Sequence, residues 1–196
     1  MPFEIENAKK EVQENLDWLF AQEYEAEENQ ATEALCKWFF FSDPKVQKLF
    51  LSKICRVRPA ALPWHTLHLQ PRGKSGVPDA ALVLADGTKL LFEVKIKQNS
   101  VSRKQLKRHL KDAGLKLKGR RKAKPPRLIL ITPDFREPLK VKSLPAEYKD
   151  AIEWVSWNEV MHFLGRLRGL NSSGQLLCKA LLLFLKEWID LKRYSP

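Results

Sequence analysis

Residues 76–97, Gly76-Val-Pro-Asp-Ala-Ala-Leu-Val-Leu-Ala-Asp-Gly-Thr-Lys-Leu-Leu-Phe-Glu-Val-Lys-Ile-Lys97, constrain the fold more than any other stretch. Two apolar or alternating runs, 80–84 and 89–96, flank Asp86-Gly87, a strong hairpin-turn signal. On the second run, a side-chain period of two sets Leu90, Phe92, Val94 and Ile96 on one face and Leu91, Glu93, Lys95 and Lys97 on the other. Asp79 stands where the first strand begins. Two carboxylates and an ammonium at the end of an apolar hairpin are costly unless something binds between them, because like charges a few Å apart raise each other's pKa. A divalent cation answers that demand. Register decides whether the carboxylates meet. A two-residue loop pairs Ala85 with Thr88 and so Asp79 with Val94, on the face opposite Glu93. A three-residue loop, with Gly87 left-handed in a bulge and Leu84 paired with Thr88, sets Asp79 opposite Glu93. A site built on both carboxylates therefore predicts the bulged turn.

The 196-residue chain is long enough for one good core with appendages. Its hydrophobic content of 44% excludes a wholly disordered protein. No run approaches the length of a membrane span, and the N-terminus lacks a basic region followed by an apolar one. The expectation is a soluble cytoplasmic protein with no membrane partner. Cys36, Cys55 and Cys178 are odd in number and embedded in apolar segments, which fits neither a zinc ribbon nor a disulfide framework. They read as small core residues in a reducing compartment.

The formal net charge of +12 points to a polyanionic partner, and its distribution sharpens the point. Residues 1–33 carry ten acidic residues against two lysines. Residues 95–127 carry fourteen Lys and Arg against Asp112 alone. A solvated helix face followed by a loop is the plainer reading of that basic run. Phosphate binding is the functional one, with Arg72, Lys74, Lys97, Arg103, Lys104, Lys107, Arg108, Lys111, Arg120, Arg121, Lys122 and Lys124 as the candidate contacts.

Along the chain, residues 4–27 have the apolar spacing of an acidic amphipathic helix, and 31–41 that of a buried one. Glu33 is the charged exception in the buried helix, where the helix dipole alone could account for it. Asp43-Pro44 caps a third helix. Residues 64–70 read as a first strand, on which His65 and His68 point to opposite faces and so do not easily share a metal. Gly73-Lys74-Ser75 lacks the upstream glycine of a phosphate loop, since that position is His68. Ser102 and Gln105 form a capping box that opens a helix to about residue 118, with Gln105 and His109 flanking its apolar stripe. Residues 127–133 read as a buried strand reached by a crossover, hence parallel to its partner. A last strand is expected at 152–156, then helices at 158–168 and 174–191. Trp154 and Trp157 are read as packing residues rather than base-stacking ones.

Taken together, Glu33, Pro78-Asp79, Glu93-Val94-Lys95 and Gln105 resemble the PD-(D/E)XK nuclease superfamily, and Thr32-Glu33 and Trp154-Val-Ser-Trp157 resemble a bacterial nuclease-like branch of it. The resemblance implies a restriction-endonuclease-like α/β core of order αβββαβ, a central mixed sheet flanked by helices, with extra N- and C-terminal helices. It implies Asp79 and Glu93 as ligands of Mg²⁺ or Mn²⁺, Glu33 as a further ligand or water-orienting carboxylate, Lys95 as the charge that positions the nucleophile, and Gln105 as an accessory residue. His109 stands where some branches have tyrosine. The expected function is metal-dependent hydrolysis of nucleic acid, DNA rather than RNA, with little sequence specificity. On this reading residues 1–28 are an acidic helix, 29–170 the core and 171–196 an apolar helix packed on it, all one domain. Two alternatives stand beside it: a non-cleaving nucleic-acid-binding subunit of the same fold, and an interaction protein using the acidic helix. A homodimer or larger assembly fits either nucleic-acid reading.

Overall fold

The computed structural model describes residues 27–57, 64–69, 78–115 and 124–189. The helix expected over 4–27, the loop carrying Arg72 and Lys74, the arm carrying Arg120, Arg121 and Lys122, and the His65 side chain lie outside the described residues. Helices α1 (Glu27–Phe41) and α2 (Pro44–Lys53) precede three strands, β1 (Trp64–Leu69), β2 (Ala80–Leu84) and β3 (Lys89–Val94). Helix α3 (Arg103–Asp112) then leads to β4 (Arg127–Thr132). Two short helices, α4 (Leu139–Lys142) and α5 (Ala146–Lys149), come before β5 (Ile152–Ser156), α6 (Trp157–Arg166) and α7 (Ser172–Trp188). The strands form one mixed sheet in sequence order, antiparallel from β1 to β3 and parallel from β3 to β5. This is a mixed α/β fold, and the crossover through α3 supplies the parallel pairing expected of it.

Alternation on the strands divides the interior into two layers. Leu82, Leu90, Phe92, Val94, Ile129, Ile131 and Val155 pack against α1, α2, α6 and α7. Leu91, Leu128 and Leu130 pack against Leu106 and Leu110 of α3 and against Val141 and Tyr148. Strand β4 is covered on both faces, which is why its sequence is a continuous apolar run rather than an alternating one. The C-terminal helix α7 packs on α1 and α6 through Cys178, Ala180, Leu181 and Leu185. All three cysteines are free and buried.

Local chemistry sets the helix ends. The side chain of Asp43 accepts the Lys45 N–H, that of Ser102 the Gln105 N–H, and that of Asn171 the Gly174 N–H. Helix α3 stops about six residues short of the end near residue 118 expected from its apolar stripe. Gly114 turns left-handed at φ 99°, its N–H donates to Lys111 O, and the Leu115 N–H donates to Leu110 O at 2.8 Å. Those paired bonds, with Leu115 and Leu110 in one apolar cluster, make a Schellman stop. Helices α4 and α5 each begin after a proline, Pro138 and Pro145, and are too short to show a periodicity.

The hairpin has the three-residue loop. Ala80 pairs with Phe92 and Val83 with Lys89, a register that continues to Leu84 opposite Thr88. The Leu84 N–H donates to Thr88 O and the Gly87 N–H to Leu84 O, each at 2.9 Å. Gly87 adopts φ 81°, the left-handed residue that such a loop requires.

Candidate functional site at the open end of the hairpin

Extending the hairpin register by one residue sets Asp79 opposite Glu93. Glu93 is fully buried and Asp79 nearly so. Asp79 Oδ2 accepts the Val94 N–H at 2.7 Å. Burial, and then the charge of Glu93, push the Asp79 carboxyl up to about 7. Lys95 follows directly, with its backbone held from two sides. Its N–H donates to Ile131 O at 2.9 Å, and its carbonyl accepts the indole N–H of Trp157 at 3.0 Å. Its ammonium lies 2.8 Å from Glu93 Oε1 and donates to Glu28 Oε2 at 2.9 Å. Burial alone would lower the Lys95 pKa, but Glu93 and Glu28 outweigh it and hold the ammonium above the ordinary lysine value.

The helices complete the surroundings unevenly. From α3, His109 Nε2 approaches Glu93 Oε2 to 3.0 Å, both side chains being fully buried. Gln105, half-buried in the first turn of α3, makes no side-chain hydrogen bond to Glu93 or Lys95 among the described residues. From α1, Glu33 is buried but paired with Lys37 at 2.7 Å. Cys36 lies within the electrostatic reach of both Asp79 and Glu33, and burial followed by those charges pushes its thiol up to about 12. It is an inert packing residue.

The basic residues divide into groups. Lys104, Arg108 and Lys111 are exposed along the outer face of α3, and Lys97 is exposed beyond β3. Arg103 is tied to Lys140 O and Ser143 Oγ, and the Lys107 ammonium sits 5.3 Å from the centre of the Tyr148 ring. Lys124 pairs with Asp86 in the hairpin turn. That is the end of the hairpin remote from Asp79, roughly 17 Å away along a five-residue strand. Lys124 therefore does not belong to the site. Trp157 is fully buried and offers no face for base stacking, while Trp154, half-buried, packs against the α3-side cluster and donates to Thr132 Oγ1 at 3.0 Å.

No family model, curated protein or solved structure matches this chain. The chemistry has to be read from the donor set itself. Among the described residues, no three of His, Cys, Asp and Glu come together as a ready-made metal cage. Both Glu93 oxygens are buried without an aligned hydrogen-bond donor, and the charge of Glu93 adds to the burial that raises the pKa of Asp79. Two carboxylates close enough for the charge of Glu93 to raise the pKa of Asp79 are of the kind that Mg²⁺ or Mn²⁺ takes, since these ions commonly use one or two protein carboxylates and complete their shell with water and substrate phosphate, although Glu93 is already paired with the Lys95 ammonium.

Of the polar partners in this cluster, Glu28 escaped the sequence reading, and His109 was noted there without its contact to Glu93. Glu28 is hidden among the many acidic residues of the N-terminal stretch, and its contact with Lys95 spans 67 positions. His109 was visible four residues after Gln105 on the edge of the apolar stripe, and that offset from Ser102 and Gln105 was the available signal.

Proposed function

We propose that the chain is a metal-dependent nuclease that hydrolyses phosphodiester bonds in nucleic acid, DNA in the first instance. The observation that carries this reading is the hairpin register, which sets Asp79 opposite Glu93 with Lys95 two residues further along. Asp79 and Glu93 are the residues to hold Mg²⁺ or Mn²⁺; Glu33, paired with Lys37, does not join them as a third ligand among the described residues. When bound, such an ion supplies a positive charge that acidifies water and offsets charge developing on the phosphate. Lys95 adds a fixed ammonium whose backbone is clamped by Ile131 and Trp157, so its charge costs little reorganisation during the reaction. Burial of Lys95 and Glu93 strengthens these electrostatic effects relative to water. The exposed row Lys104, Arg108 and Lys111 supports backbone binding without base selection.

The test is incubation with linear and circular DNA, with and without Mg²⁺ or Mn²⁺. Metal-dependent cleavage by the wild type is expected, with Asp79→Ala and Lys95→Ala each losing at least about 100-fold while still binding DNA. Cleavage unchanged in either variant would overturn the assignment. A second reading, a nucleic-acid-binding subunit that does not cleave, draws on the absence of a three-ligand cage among the described residues. DNA binding without metal uptake by the wild type would favour it.

A further inference from the structure

His109 has no evident business in the layer between α3 and the sheet. Its neighbours on the helix, Leu106 and Leu110, are buried hydrocarbon, and leucine would fill the same position without bringing polar atoms. Instead both imidazole nitrogens are buried with no aligned hydrogen-bond partner. A buried polar group in that condition costs stability. Among the described residues its polar contact is Glu93, at 3.0 Å from Nε2.

We propose that His109 is a positioning residue for the metal-binding carboxylate: it steers Glu93 through Nε2 while Lys95 holds the other oxygen. The inference rests on the nuclease reading and adds a role for a side chain that reading does not use. Glu93 projects from β3 toward α3, and its two oxygens face Lys95 Nζ and His109 Nε2. Two donors on opposite oxygens fix the plane of a carboxylate, which one donor leaves free to rotate. A ring nitrogen facing an acceptor carries a proton, so Nε2–H points to Glu93. The contact is close but poorly aligned. Contacts of this kind commonly tighten when the site is loaded. Outer partners that orient a ligating group typically alter metal affinity or activity by about 10–100-fold when removed.

The test uses the full-length protein with Mn²⁺ as the probe. Wild type, His109→Leu and His109→Gln are compared for Mn²⁺ affinity by calorimetry, for the Mn²⁺ concentration giving half-maximal cleavage, and for thermal unfolding. Leucine keeps the bulk and removes the donor, whereas glutamine returns an N–H at a similar reach. The expected result is a folded His109→Leu protein with Mn²⁺ affinity about 10–100-fold weaker, and a His109→Gln protein restored most of the way. Wild-type affinity and cleavage in His109→Leu would overturn the proposal. Equal impairment of both variants together with a lowered melting temperature would also overturn it, since that is the mark of packing alone. A wild-type protein that takes up no Mn²⁺ and does not cleave fails earlier, at the nuclease reading, and is thereby distinguished from failure of His109 alone.

Discussion

Asp79 holds its proton more tightly in the folded chain than in the unfolded one, because its carboxyl is pushed up from 3.8 to about 7. The stability linked to it is complete below its unfolded pKa and is lost as pH rises through the folded one. Without metal, the melting temperature should therefore fall between about pH 4 and pH 7 and level off above. Asp79→Asn should flatten that slope and exceed the wild type by about 1–3 kcal/mol at pH 8, as read from thermal or denaturant unfolding. Saturating Mg²⁺ should recover the loss in the wild type and leave Asp79→Asn unmoved. An unchanged slope in the asparagine variant would mean that Asp79 is not the group whose proton is linked to folding over this range. At this scale the sequence showed the charged trio but not what surrounds it. Glu28 and Trp157 reach Lys95 across 67 and 62 positions, and no local pattern announces such contacts.

The hairpin is the element whose geometry was most legible. Asp86-Gly87 admitted two loop lengths, and only the longer one set Asp79 against Glu93. The left-handed Gly87 is the physical reason that loop forms. A side chain at Gly87 meets no atom within 4 Å, so Gly87→Ala isolates backbone strain from crowding. It should cost about 1 kcal/mol by denaturant unfolding, the usual cost of the left-handed region for a residue with a Cβ. A loss of several kcal/mol would indicate that the register itself had slipped. The end of α3 was legible in principle from Gly114, but the apolar spacing that continues through Ala113 and Leu117 hid the stop. Helices α4 and α5 were not legible, since four residues after a proline carry no periodicity. The hairpin pairing and the parallel return after α3 followed from simple rules, whereas the places of β1 and β5 in the sheet were not read from the sequence.

Over the whole molecule, basic charge on the outer face of α3 lies one layer out from the carboxylates that Glu93 and His109 join to that helix. If about six phosphates are neutralised, the logarithm of the DNA-binding constant should fall with the logarithm of salt at a slope near about −5. Lys104→Glu with Arg108→Glu should weaken binding to every sequence alike and make the slope shallower by about 2, measurable by fluorescence anisotropy across a salt series. A flat salt dependence would exclude this surface. The two clamps on Lys95 have a different consequence. Ile131 and Trp157 both follow it in the chain, so a polypeptide leaving the ribosome carries Asp79, Glu93 and Lys95 long before it carries what holds the lysine still. Until synthesis has passed residue 157, the Lys95 carbonyl lacks the indole N–H that holds it in the folded chain.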